Sequence, residues 1–115
     1  MESIALITDI HANLPAFKNV LRDVKDSGAT QIVFLGDIVG YGASPAECVQ
    51  LVREHGGRCV KGNHDFEMGK YRRRRYLTGD SLRNEDGYIA GLILAPRTLP
   101  EEDAVWLAKL PYTDI

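Results

Sequence analysis

The chain has 115 residues, 44% of them hydrophobic and 26% charged, with 14 Lys+Arg against 16 Asp+Glu. That is one domain's worth of chain, or a piece of a larger one, with enough apolar residues for a packed core rather than disorder. A net charge of −2 excludes a generally basic nucleic-acid coat protein or an acidic tail protein. Two cysteines, Cys48 and Cys59, exclude a multi-bridge secreted scaffold and a CxxC zinc knuckle, and no apolar run approaches the roughly 20 residues of a membrane span.

The first residues lack a positive n-region and turn acidic at Asp9, so no signal peptide is expected, and a cytoplasmic protein with free thiols is. Residues 4–8 are a short continuous apolar run, the pattern of a strand buried on both faces. Asn13 as N-cap and Pro15 near the first turn then open a helix. Phe17, Val20, Leu21 and Val24 share one of its faces, and Gly28 is placed to end it. Residues 31–35 repeat the strand signal, and Gly36-Asp37 ends it. After the glycine-rich stretch Val39-Gly40-Tyr41-Gly42-Ala43, the sequence Ser44-Pro45-Ala46-Glu47 predicts a capping box. Cys48, Leu51 and Val52 form the apolar stripe of that second helix, and Gly56-Gly57 stops it. Residues 58–61 predict a third strand, running into Gly62-Asn63-His64-Asp65.

The later part is less regular. Residues 66–76 are compatible with a helix that carries Lys70 and the run Arg72-Arg73-Arg74-Arg75. Gly79-Asp80 and Asp86-Gly87 read as turns, and 88–94 fits helix or strand. Pro100 followed by Glu101-Glu102-Asp103 opens a last helix, with Ala104, Trp106, Leu107 and Leu110 apolar and Pro111 ending it. No repeat, linker or domain boundary is visible, so residues 1–115 read as one unit.

The pattern β-α-β-α-β with short loops predicts parallel pairing with right-handed crossovers. Asp9, Asp37 and Asn63 each follow the C-terminal end of a predicted strand, the rim where open α/β sheets bind ligands. Their oxygens suit hard divalent cations, and His11 adds an imidazole that borderline ions accept. Asp9 and His11 can reach one ion, Asp37 can bridge two, and Asn63 can hold the second. Two metals roughly 3.5–4 Å apart form a clamp for in-line displacement at phosphorus by a metal-bridging hydroxide.

Asp9-x-His11, Gly36-Asp37 and Gly62-Asn63-His64-Asp65, in this order after strands, resemble the first three motifs of the calcineurin-like metallophosphoesterases. The resemblance covers residues 4–65. Val39-Gly40-Tyr41-Gly42 with Pro45 and Glu47, and later Trp106-Leu107 and Leu110-Pro111, are similar to its bacterial and archaeal serine/threonine phosphatase-like branch. It implies the N-terminal βαβαβ half of a four-layer αββα sandwich. It implies Asp9 and His11 on a first metal, Asp37 bridging and Asn63 on a second, with Mn²⁺ first and Fe, Zn or Ni as other candidates. It implies His64 directed at the substrate phosphate, Asp65 orienting His64, and a phosphomonoester or phosphodiester substrate.

The family's later motifs supply further histidines from the second half of the fold, and this chain has three in all: His11, His55 and His64. His55 reads as a helix C-terminal dipole partner. The first metal would then lack one imidazole and the second two, so the chain is expected to be the N-terminal part of such a domain, with impaired activity. Two other readings stand beside this one. The first is an inactive or regulatory fragment that binds metal or self-associates through an uncovered apolar sheet face. The second is a diadenosine tetraphosphate-type hydrolase. Asn13 is shared between capping and shaping the site. The cysteines and Trp106 read as packing residues. The basic run reads as a solvated face, with neither nucleic acid nor membrane as an expected partner.

Overall fold

Two apolar segments pair first. A computed structural model of the chain describes residues 2–73, 95 and 97–113. In it β1 (Ile4–Ile7) and β2 (Gln31–Phe34) lie parallel, Ile4 opposite Gln31 and Ile7 opposite Phe34. The crossover between them is α1 (Leu14–Ser27). Asn13 caps α1, its side-chain oxygen accepting from the Ala16 N–H at 3.2 Å, and Gly28 closes it. Phe17 turns inward to meet the Phe34 ring edge-on, with centroids 6.0 Å apart. One face of the sheet is thereby covered by a helix, as expected for an α/β fold.

The predicted third strand is reduced to a single parallel bridge, Phe34 with Cys59. Phe34 donates its N–H to the Arg58 carbonyl and its own carbonyl accepts from Val60. The next N–H on that side, that of Gly62, goes to Asp65 Oδ2 at 3.0 Å instead of to β2, and the ladder ends there. α2 (Pro45–Glu54) begins on proline as predicted, but Ser44 makes no side-chain cap bond, so the capping box does not form. Pro45, Cys48, Val49 and Val52 are its buried residues, with Leu51 half-buried. His55 caps its C-terminus, and Nδ1 donates to the Leu51 carbonyl at 2.9 Å.

α3 (Asn63–Arg73) starts three residues earlier than the apolar pattern indicated, because Asn63, His64 and Asp65 form its first turn. Of the basic run, residues 70–73 belong to α3, whereas the rest of the run, both predicted turns and segment 88–94 lie outside the described residues. α4 (Glu101–Ala108) packs on α2 and α3. Asp103 is buried and ion-paired to Arg53 of α2, whose guanidinium lies 5.8 Å from the centre of the Trp106 ring. Lys61 closes the other end of α4, its Nζ donating to the Ala108 carbonyl at 2.7 Å, where the helix dipole favours a cation. The core runs through Ile7, Phe17, Phe34, Ile38, Val49, Val52 and Leu107, and takes in both free cysteines.

Candidate metal centre

The parallel pairing of β1 and β2 continues past both strands into their loops. Asp9 donates its N–H to the Gly36 carbonyl at 3.2 Å, His11 to Asp37 at 2.9 Å and Ala12 to Ile38 at 2.8 Å. Two loops laced in this way carry their side chains to a common point. One donor atom each from Asp9, His11 and Asp37 lie within 4.8 Å of one another. All three residues have left-handed backbone, with φ of +57°, +47° and +55°. Such a conformation costs an L-residue about 1 kcal/mol or more, and non-glycine residues held there cluster at functional sites.

The local hydrogen bonds set the state of each donor. Thr8 Oγ1 donates to Asp9 Oδ2 at 2.6 Å, and this bond, with lesser help from His11, holds the Asp9 carboxyl below its ordinary range. His11 Nδ1 stands 3.2 Å from the Val39 carbonyl, which can only accept. With Nδ1 donating there, Nε2 faces Asp9 Oδ1 at 3.3 Å, donating to it in the protonated ring and offering a lone pair to a shared cation in the neutral one. Asp37 Oδ1 accepts the His64 backbone N–H at 2.9 Å. The Asn63 carboxamide also faces Asp37. Turned nitrogen-first it donates to Oδ1 at 3.3 Å and Oδ2 at 3.1 Å. The carboxylates of Asp9 and Asp37 and the His11 imidazole thus form a donor set that suits a divalent cation.

Close backbone approach makes this possible. A Cβ on Gly62 would stand within van der Waals exclusion of Asp37 Oδ1 and of its backbone nitrogen, so only glycine fits there. Asp65 completes the joint. It is 2% exposed, and its carboxylate accepts from four backbone N–H groups: Asp37 at 2.9 Å, Ile38 at 3.0 Å, Val39 at 3.4 Å and Gly62 at 3.0 Å. Burial pushes its pKa up to about 6 against the pull of those bonds. The family resemblance implied that Asp65 orients the His64 ring. The structure instead gives both its oxygens to the backbone of the loops that carry Asp37 and Asn63.

His64 is 5% exposed, and its ring lies 4.5 Å from that of His11. Burial, then the neighbouring His11, hold its pKa below the ordinary imidazole value. Asn13 lines the adjoining cleft as well as capping α1, so both of its readings have structural support. The sequence reading missed two contributors: the Val39 carbonyl that fixes His11, and the Tyr41 ring, 5.2 Å from His11 and 5.0 Å from His64. The glycines flanking Tyr41 were the available signal for the second.

Known proteins resemble this chain in sequence and fold. The family model for calcineurin-like phosphoesterases matches residues 2–109. An uncharacterized Methanocaldococcus jannaschii protein, MJ0912, is 42% identical over 110 residues, which cover 94% of this chain and 42% of that protein. Phosphodiesterase YfcE of Escherichia coli is 33% identical over 78 residues, covering 59% of this chain and 42% of YfcE. Among solved structures, a metallophosphoesterase from Sphaerobacter thermophilus aligns with a TM-score of 0.74 at 36% identity, over 97% of this chain and 42% of that one. A protein described as a candidate diadenosine tetraphosphatase aligns with a TM-score of 0.70 at 24% identity, over 94% and 42%, a likeness of fold alone. The chain spans about 42% of the length of these relatives. It belongs to the calcineurin-like phosphoesterase family.

Proposed function

We propose that this chain carries the N-terminal part of a dinuclear metal centre for phosphate-ester hydrolysis. In this reading Asp9 and His11 hold the first ion, Asp37 bridges, and Asn63 holds the second. Bound there, the ions, Mn²⁺ first among the candidates, would supply charge neutralisation at the phosphoryl oxygens and a water nucleophile active at neutral pH. The observation that carries the reading is the convergence of Asp9, His11 and Asp37 donor atoms within 4.8 Å on strained, mutually bonded loops.

The chain's own residues have distinct tasks. Val39 keeps His11 in the tautomer that leaves Nε2 free to bind. Thr8 keeps Asp9 ionised. Asp65 is a positioning residue: it ties the Asp37 loop to the Gly62 turn and so sets the spacing between Asp37 and Asn63. His64, its ring 4.5 Å from that of His11, donates a hydrogen bond to the phosphoryl group. The three histidines of this chain leave the imidazole count below that of the complete family centre, so hydrolysis by this chain alone is impaired. Two buried free thiols suit a reducing compartment such as the cytoplasm, and among the described residues no helix is long and apolar enough to cross a membrane.

The test is hydrolysis of p-nitrophenyl phosphate and its bis ester with added Mn²⁺, against an Asp37→Asn control. A slow Mn²⁺-dependent turnover that the substitution abolishes is expected. Turnover that survives the substitution contradicts the proposed centre. One observation favours a second role as a self-associating module. Ile4 at 54% and Leu6 at 64% exposure lie on the sheet face opposite Phe34, and Leu35 at 41% follows in β2's direction. In that reading, sedimentation velocity gives a concentration-dependent dimer, and a monomer at 100 μM rules it out.

A further inference from the structure

Tyr41 is a bulky residue in a conformation that bulky residues avoid. Its φ is +62°, and its side chain is 55% exposed, so core packing does not offset the strain. The loop around it is tightly fixed. A Cβ on Gly40 would collide with His64 Nδ1, and Gly42 donates its N–H to the His11 carbonyl at 3.0 Å. Held there, the Tyr41 ring meets His11 edge-on at 82° and lies tilted by 41° to His64. It also walls a cleft of about 710 Å³ that runs from Asp9 and His11 to Ser44. An exposed aromatic face, beside two imidazoles of the site and lining its cleft, is a surface on which a flat group can stack.

The geometry points to Tyr41 as a specificity-determining residue that selects phosphate esters whose leaving group is an aromatic ring bonded directly to the ester oxygen. This rests on the phosphoesterase reading of the site. Ring centroids 5.0 Å and 5.2 Å away put the phenol beside His64 and His11, the residues to which the phosphoesterase reading gives the phosphoryl group and a metal. It therefore meets the first atoms of the leaving group. A base carried beyond a ribose would extend past it, and a small aliphatic alcohol would leave its face uncovered.

Phenylphosphonate and methylphosphonate test this without turnover, because they share a charged head and differ by the ring. Calorimetric titration of the Mn²⁺-supplemented full chain should give about 5- to 10-fold tighter binding of phenylphosphonate, the size of one aromatic contact. Tyr41→Gly should bring that ratio close to 1, with phenylphosphonate losing more affinity than methylphosphonate. The same variant should melt no lower than wild type, since glycine accepts the left-handed backbone. Tyr41→Phe should keep the ratio, and AMP should bind wild type no better than methylphosphonate does. A wild-type ratio near 1, a ratio that survives Tyr41→Gly, or equal loss of both ligands overturns the inference alone. AMP matching phenylphosphonate also overturns it. Failure of wild type to bind methylphosphonate at all overturns the phosphoesterase reading and this inference with it.

Discussion

Asp65 shows how a single side chain can act at a site without facing it. Its buried carboxylate satisfies four backbone N–H groups of two loops, and removing it strands those donors away from water. Asp65→Ala is therefore expected to cost about 3 kcal/mol in urea unfolding, and to weaken Mn²⁺ binding although Asp65 touches no ion. A loss below about 0.5 kcal/mol, the range of ordinary surface substitutions, would contradict the geometry. The residue was legible in the sequence as part of Gly62-Asn63-His64-Asp65, but its partners were not. Side-chain to backbone bonds reaching across 26 to 28 residues leave no periodic trace. Asp9, His11 and Asp37 were legible because strand ends and short glycine-bearing loops announce a common rim. The Val39 carbonyl was invisible because every residue has one.

At the scale of elements, caps and strand lengths separate what sequence determines locally from what tertiary contacts decide. Asn13 and Ser44 both precede a proline-containing first turn, and both read as N-caps. Only Asn13 makes the bond. Asn13→Ala is expected to cost about 1 kcal/mol. Ser44→Ala should stay within about 0.5 kcal/mol, the surface range. Equal losses in the two variants, measured by thermal unfolding, would show that the cap geometry is misassigned. The helices α1, α2 and α4 were readable from capping residues, proline and apolar spacing. The third strand was overestimated because the Gly62 N–H that would extend its ladder is taken by the Asp65 carboxylate, a side-chain bond that apolar patterning does not encode. The early start of α3 was missed for a related reason. Asn63 and His64 were read for their chemistry, while the same residues also build a helical turn.

At the scale of the whole molecule, core and site share one set of elements. Cys48 and Cys59 are buried in the core, and burial pushes each thiol up to about 12. A thiol whose folded pKa is raised stays neutral in the native state. Its contribution to stability is present below about pH 9, its unfolded value, and is lost as pH rises toward 12. The native chain should thus resist alkylation by iodoacetamide at pH 8, and urea should unmask two reactive thiols. Rapid labelling without denaturant would contradict the packing. The same core holds the strands that Asp9, His11 and Asp37 follow, so their cluster is expected to bind a divalent metal in the folded chain. Calorimetric titration of the folded chain with Mn²⁺ tests this most directly. The account predicts saturable binding that Asp37→Asn weakens at least about tenfold, equivalent to about 1.4 kcal/mol, while the variant's melting temperature without metal stays close to wild type. Binding of equal strength in the two proteins, or none in either, would contradict it.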